Sequence, residues 1–128
     1  MRRIALLAAL FALAACNNDS TSPTVSLTGN YSLRSVNGSQ LPVTFSDGSV
    51  LTSDVLTLFN DGTFTDNAQF SDGTVEVEQG FYSANNGSIN FQDLNSNFTF
   101  AGSLSGAVLT EIIPVSGGSS LTEVYVKQ

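Results

Sequence analysis

The chain is 128 residues long, with four basic and eleven acidic residues, a net charge of −7, and neither histidine nor tryptophan. An acidic surface repels phosphate backbones and has no basic patch with which to release counterions, which excludes nucleic acid as a partner. Without histidine a Ser-His-Asp triad or a Cys-His pair is impossible, and zinc, copper and haem sites lose their commonest ligand, so no metal or cofactor is expected.

The first sixteen residues read MRRIALLAALFALAAC. Arg2 and Arg3 precede twelve apolar residues, Ile4 to Ala15. A basic start, a short apolar run and small residues before a cleavage point make a secretory signal over residues 1–15. A helix of that length reaches about 18 Å, well short of the ~30 Å hydrocarbon core, so it does not read as a membrane span. Leu13-Ala14-Ala15-Cys16 resembles the lipobox of bacterial lipoproteins. The resemblance implies cleavage before Cys16, a diacylglyceryl group on its thiol and an acylated amine. Two or three such chains make a lasting membrane anchor where one does not. By the same resemblance, Asn17 in place of a retaining Asp favours the outer membrane of the cell envelope.

Cleavage leaves 113 residues, enough for one domain with its own core. Arg34 and Lys127 then face eleven acids, a net charge of −9, which keeps the domain from lying flat on anionic lipid. The only cysteine is Cys16, so no internal disulfide forms and stability must come from packing and the sheet ladder. The polar stretch NNDSTSPTVSL, residues 17–27, reads as a flexible tether that reaches at most ~40 Å when extended. Residues 16–28 are thus expected to be lipidated cysteine and tether, and residues 29–128 the folded domain.

From Gly29 onward the apolar residues recur with period two. Tyr31 and Leu33 alternate with Ser32 and Arg34, and Leu56 and Leu58 flank Thr57. Val75, Val77 and Phe81 share one side of a segment with Gln79, while Glu76 and Glu78 share the other. Ile89 pairs with Phe91, Phe98 with Phe100, and Val124 and Val126 flank Tyr125. Side chains two apart lie on one face of a strand, so these are half-buried strands; no segment of the mature chain carries a helical stripe. Asn37-Gly38, Asp47-Gly48, Asp61-Gly62, Asp72-Gly73 and Asn86-Gly87 are hairpin dipeptides, and Gly117-Gly118 marks a further turn. Strands are expected near 29–36, 50–59, 63–70, 74–83, 87–92, 97–103, 107–114 and 121–127. Eight strands joined by short turns favour an all-β, antiparallel up-and-down meander, and closure into a small barrel removes its exposed edges. The alternative is a β-sandwich, whose crossing connections need longer loops than most of those present. Only the segment 37–50 leaves such room; a lid or a bent first hairpin is expected there.

The ordered series GNYSLRSVNGSQLP from Gly29, DVLTLFNDGTF at 54–64, EQGFYSANNGSINF at 78–91 and LTEVYVKQ at 121–128 resembles the short lipocalin-like domains of small bacterial lipoproteins. The resemblance covers nearly the whole mature chain. It implies an eight-stranded barrel that binds small apolar molecules. It also implies that Tyr31 takes the place of the Trp in the family's Gly-x-Trp start, with Lys127 the basic residue of the last strand packed over it.

Candidate chemistry is sparse, and no enzyme is expected. Glu76 and Glu78, roughly 7 Å apart on one strand face, come within reach of glycosidase geometry, but a solvated outward face accounts for them better. Asp61, Asp66 and Asp72 lack EF-hand spacing, and turn chemistry explains them better than calcium. Asn37-Gly-Ser39, Asn86-Gly-Ser88 and Asn97-Phe-Thr99 match the glycosylation sequon by chance in a bacterial lipoprotein. An eight-stranded barrel either fills its interior with side chains or holds one small ligand. On the second reading Leu56, Leu58, Phe64, Phe81, Phe91 and Phe100 are the candidate lining. Two functions follow. The first is a membrane-anchored, monomeric module binding a small hydrophobic ligand. The second is a solid barrel whose outer face or loops contact an envelope protein.

Overall fold

The period-two pattern is realised throughout residues 26–128, which the computed structural model describes. The strands, in chain order, are β1 (Gly29–Val36), β2 (Ser39–Gln40), β3 (Val43–Thr44), β4 (Val50–Leu58), β5 (Thr63–Phe70), β6 (Val75–Asn85), β7 (Ser88–Asp93), β8 (Thr99–Ser105), β9 (Val108–Pro114) and β10 (Ser120–Lys127). No helix occurs among the described residues. The eight longer strands match the eight expected ones to within two residues at either end. From β4 to β10 each pairs antiparallel with the next, and β1 pairs with β10 on one side and β4 on the other. The ring is therefore a closed, antiparallel, eight-stranded β-barrel, which disposes of the sandwich alternative. The two-residue strands β2 and β3 belong to the segment 37–50. They hang on the edges of β1 and β4 at one end of the barrel, as a bent insertion.

Two kinds of turn join the strands. Asn37 and Gly38 have φ of 50° and 81°, and Asn86 and Gly87 have φ of 51° and 82°, the double positive φ of type I′ turns. The three Asp-Gly pairs behave differently from that expectation, because only their glycines have positive φ. Phe45, Phe59 and Phe70 each open a Phe-x-Asp-Gly-Ser/Thr loop in which the Phe N–H donates to the carbonyl four residues on. The Asp Oδ1 accepts the N–H two residues further along, at 2.9, 2.9 and 2.8 Å for Asp47, Asp61 and Asp72. Asp47 and Asp61 also accept the Ser49 and Thr63 hydroxyls, and these hydroxyl bonds first and the N–H bonds second, with the Thr74 N–H foremost at Asp72, hold all three carboxyls below the usual carboxylate range.

One end of the barrel is solid. Phe64 meets Phe91 edge-on at 5.3 Å and Phe100 edge-on at 6.2 Å, while Phe91 stacks on Phe100 at 4.8 Å. Leu56, Leu58, Ile89, Leu109 and Tyr31 complete this plug. Tyr31 donates its hydroxyl hydrogen to the Leu27 carbonyl at 2.5 Å, and the Lys127 ammonium stands 5.7 Å from its ring centroid while donating to the Ser26 carbonyl. The pairing of Tyr31 with the basic residue of the last strand is the one implied by the family resemblance. It brings the chain from the tether onto the solid end.

Two glycines make the plug possible by close approach. A Cβ on Gly80 would overlap the Gln92 carbonyl oxygen and stand 2.7 Å from Phe64 Cε1. At Gly102 it would stand 2.9 Å from Phe91 Cε2 and 3.2 Å from the Thr110 carbonyl oxygen. Gly80→Ala is therefore expected to destabilise the barrel by about 3 kcal/mol or more, since backbone cannot yield as a side chain does. Gly102→Ala is expected to cost about 1–2 kcal/mol. Urea titrations of the two variants test the ordering, and equal midpoints would contradict it.

Candidate functional site

The other end of the barrel is open. β4, β5, β6, β9 and β10 enclose a cavity of about 410 Å3, roofed on one side by Phe45, Ser46, Asp47 and Ser49 of the insertion. Leu51, Ala68, Phe70 and Ile113 form apolar walls. Its polar groups are all acidic or hydroxylic: Asp54, Asp66, Glu78 and Glu123 line its depth and Glu76 its rim. Glu111 and Tyr125 lie buried beside this layer.

Strand register explains how the acids arrive inside. Phe64 points inward, so Asp66, Ala68 and Phe70 do as well. Directly opposed residues of an antiparallel pair share a face. Phe64 faces Gly80, Asp66 faces Glu78 and Ala68 faces Glu76 across β5 and β6. Glu76 and Glu78 therefore point inward, the reverse of the solvated outward face expected for them. Val75, Val77 and Phe81 are correspondingly outside, 54%, 57% and 51% exposed. The apolar side of β6 is thus its outer side. Its phase is set by Phe64, whose ring occupies the space above Gly80.

Phe81 is therefore not part of the interior. Leu56, Leu58, Phe64, Phe91 and Phe100 are inside, but in the plug, while the cavity has other walls. Asp61 and Asp72 serve turns and Asp66 lies in the barrel, so the three do not converge. Among the described residues no group of three or more metal-ligating side chains is placed to hold an ion. Cys16, the signal and most of the tether lie outside the described residues.

The acids crowd one another. Glu111 lies directly opposite Glu123 on β9 and β10, as Asp66 does opposite Glu78. Like charges so placed are destabilising. Asp54 is 5% exposed and Glu111 2%. The Tyr125 hydroxyl lies 3.1 Å from Glu123 Oε2 and 3.3 Å from Asp54 Oδ2, with one hydrogen to donate between them. Asp54 Oδ1, Asp66 Oδ1 and Glu111 Oε1 are buried with no hydrogen-bond partner. Neither basic residue of the described chain offsets this charge, because Arg34 is exposed outside the barrel and Lys127 sits over Tyr31 at the far end.

Burial, reinforced by contact with Asp54 and the charges of Asp54, Glu111 and Glu123, drives the Asp66 carboxyl far above the usual range. Burial and Glu123 do the same to Glu111. Glu123 is raised to about 7 by burial and then by Asp54, against the lowering hydrogen bond from Tyr125. Glu78 is raised by burial and then by Asp93 and Asp54. The Tyr125 hydroxyl is also pushed up, by burial first and the surrounding acids second.

These acids carry a signal in the sequence that pattern reading passed over. Each interrupts an apolar strand face: Asp54 before Leu56 and Leu58, Asp66 between Phe64 and Ala68, Glu111 between Leu109 and Ile113, Glu123 between Leu121 and Tyr125. Four acids on the inward apolar faces of β4, β5, β9 and β10 mark an interior polar cluster.

No protein-family model matches the sequence, and no curated protein matches it. Three solved structures have a similar fold. A lipocalin-like protein from Bacteroides uniformis is 21% identical, with 80% of this chain and 98% of that one covered and a TM-score of 0.48. An uncharacterized protein from Bacteroides eggerthii is 18% identical over 80% and 100% of the two chains, with a TM-score of 0.49. Fatty-acid-binding protein 1 of Echinococcus granulosus is 11% identical over 79% and 96%, with a TM-score of 0.46.

The buried acids give stability a defined pH dependence. Folded Asp66, Glu111 and Glu123 hold protons that the unfolded chain releases above about pH 4.5, so the native state binds more protons and stability falls as pH rises from there. Asp47, Asp61 and Asp72 act oppositely, losing their contribution below their ordinary value of 3.8. The ligand-free barrel should therefore melt highest near pH 5 and at least about 5 °C lower at pH 8. Glu111→Gln should raise the pH 8 value and flatten the slope. A Tm that climbs from pH 5 to pH 8 would contradict this assignment.

Proposed function

We infer that this chain is a lipid-anchored, non-enzymatic binding protein of the bacterial envelope that takes one small ligand with an apolar body into the open end of its barrel. The observation that carries the reading is the cavity itself. Its volume of about 410 Å3 is at the small end of the ~300–1,000 Å3 range of ligand pockets, and Leu51, Ala68, Phe70 and Ile113 form apolar walls within a lining that is otherwise mostly acidic and hydroxylic. A barrel that merely filled its interior would have no such hole. The Leu-Ala-Ala-Cys16 signal supports the anchor, and Asn17 supports the outer membrane. The acids support no catalytic role, since no nucleophile-base pair is assembled among them.

The mature chain with Cys16→Ala, purified without lipid, is expected to bind an ANS-like apolar probe saturably at one site. Leu51→Trp, which fills the cavity wall, should abolish that uptake while the barrel still unfolds cooperatively. In cells, Cys16→Ala should move the protein from the membrane to the soluble fraction and remove the acyl mass. An unchanged mass and fractionation would end the lipobox reading.

One observation favours a second reading. Val75, Val77 and Phe81 form an apolar strip on the outer face of β6, and Leu94, 51% exposed, lies beside Phe81. Contiguous exposed apolar surface marks contact sites. Absence of probe uptake by a well-folded barrel would leave this face, and an envelope protein as its partner, as the better account.

A further inference from the structure

The carboxylate layer has no use for an uncharged apolar ligand and would repel an acidic one. Asp54 is nineteen-twentieths buried, is one of the residues lining the cavity, and has one oxygen, Oδ1, buried with no hydrogen-bond partner. Asp66 Oδ1 is in the same condition on the adjacent strand. A buried acceptor left unpaired costs the full desolvation of the group, about 1–3 kcal/mol and more when charged. The Tyr125 hydroxyl is shared between Asp54 and Glu123, and protonated Asp66 supplies one hydrogen beside Asp54; these are fewer donors than the carboxyl oxygens of the layer can accept, so donors supplied from outside would complete it.

We propose that the cavity selects a small organic ammonium ion, a protonated amine on an apolar body, with its N–H groups donated to Asp54 and Asp66. The proposal rests on the binding reading above and names the ligand class for it. Three features fix the class. An ammonium has three donors and no acceptor, the complement of carboxyls that only accept once the Asp66 proton has left to solvent and the ammonium has taken its place. Hydrogen bonds between two charged groups are roughly twice as strong as neutral ones, and most of all where water is excluded. Phe45 and Phe70 add aromatic surface to the lining, and the apolar walls take the carbon body.

A bare metal ion fits less well. Calcium takes six to eight oxygens at about 2.3–2.6 Å, and the described residues contain no group of three ligating side chains so placed. A long acyl chain fits less well too, because the aromatic plug fills the other half of the barrel. The crowding that is unfavourable in the empty cavity becomes favourable around a cation. Glu78 and Glu123 then add attraction instead of repulsion.

Calorimetry of the mature Cys16→Ala chain with matched probes tests this. Hexylamine, hexanol, hexanoate and calcium chloride are titrated separately at pH 7.5. Hexylamine is expected to bind at least about tenfold more tightly than hexanol, with hexanoate and calcium weaker still. Asp54→Asn and Asp66→Asn should each bring the amine-to-alcohol ratio toward one. Equal binding of amine and alcohol would overturn the ammonium proposal while leaving the binding reading intact. Binding of calcium in preference to the amine would also overturn it. No binding of any probe by a folded barrel would end both. Should the variants fail to fold, the wild-type amine-to-alcohol ratio decides alone.

Discussion

Directly opposed residues of an antiparallel pair must share a face, and in a closed barrel there is no free edge at which one strand can slip out of phase with the others. Once a single strand is fixed, the inward positions follow from it except where bulges shift the register, between Leu33 and Ser35 in β1 and between Leu51 and Ser53 in β4. Here that strand is β5, held by Phe64 wedged between Phe91, Phe100 and the bare backbone of Gly80. From Phe64 the phase passes to Asp66 on the same strand and to Glu78 across the ladder. The aromatic plug thus decides not only where the barrel is solid but also which acids are imprisoned above it.

The interior consists of layers stacked along the barrel axis. Tyr31, Leu58, Phe64, Phe91 and Phe100 make the lowest, the carboxyls and Tyr125 the middle, and Leu51, Phe70 and Ile113 the uppermost around the opening. A polar layer between two apolar ones is unfavourable for folding by itself, since each ionised carboxyl loses water without gaining an opposite charge. The empty barrel tolerates it through protonation of Asp66 and Glu111, which turns repelling acceptors into neutral groups. That solution depends on pH and leaves acceptors unsatisfied. Leucine at the same places would avoid the difficulty, so the layer is a local conflict between foldability and something else, which is where function concentrates.

Much of the fold was legible because its determinants are local. Alternation placed eight strands, Asn-Gly pairs specified two type I′ turns, and Gly29-x-Tyr31 with Lys127 indicated how the solid end is closed. The site was less legible because its determinants are not local. On β6 the apolar residues Val75, Val77 and Phe81 argue for one phase and the neighbouring strand imposes the other. An amphipathic strand with acids on one side looks the same whether those acids meet water outside or a cavity inside. Asp54, Asp66, Glu111 and Glu123 sit on otherwise apolar faces, and only the closed barrel brings them together around one end of its interior. The three Asp-Gly loops show the same division. Gly position predicts a turn, but the side-chain hydrogen bond from Asp selects a longer loop than the dipeptide alone suggests.

The placement of the two ends bears on the proposed anchor. β1 begins at the solid end, where Ser26 and Leu27 are bound by Lys127 and Tyr31, and it ends beside the insertion that roofs the cavity. A tether that enters at Ser26 therefore attaches to the plugged end, and the mouth lies at the opposite end of the barrel. On the lipid-anchored reading the tether joins the barrel at its solid end, so the mouth lies on the side away from the attachment point. A ligand carrying a charged amine would arrive from water rather than from the hydrocarbon phase, because a cation gains nothing by crossing the acyl layer. The attachment point set by Tyr31 and Lys127 leaves the mouth unobstructed by the tether, and the buried acids favour a ligand arriving from water. A fatty ligand drawn from the membrane would call for the reverse arrangement, with the opening turned toward the lipid.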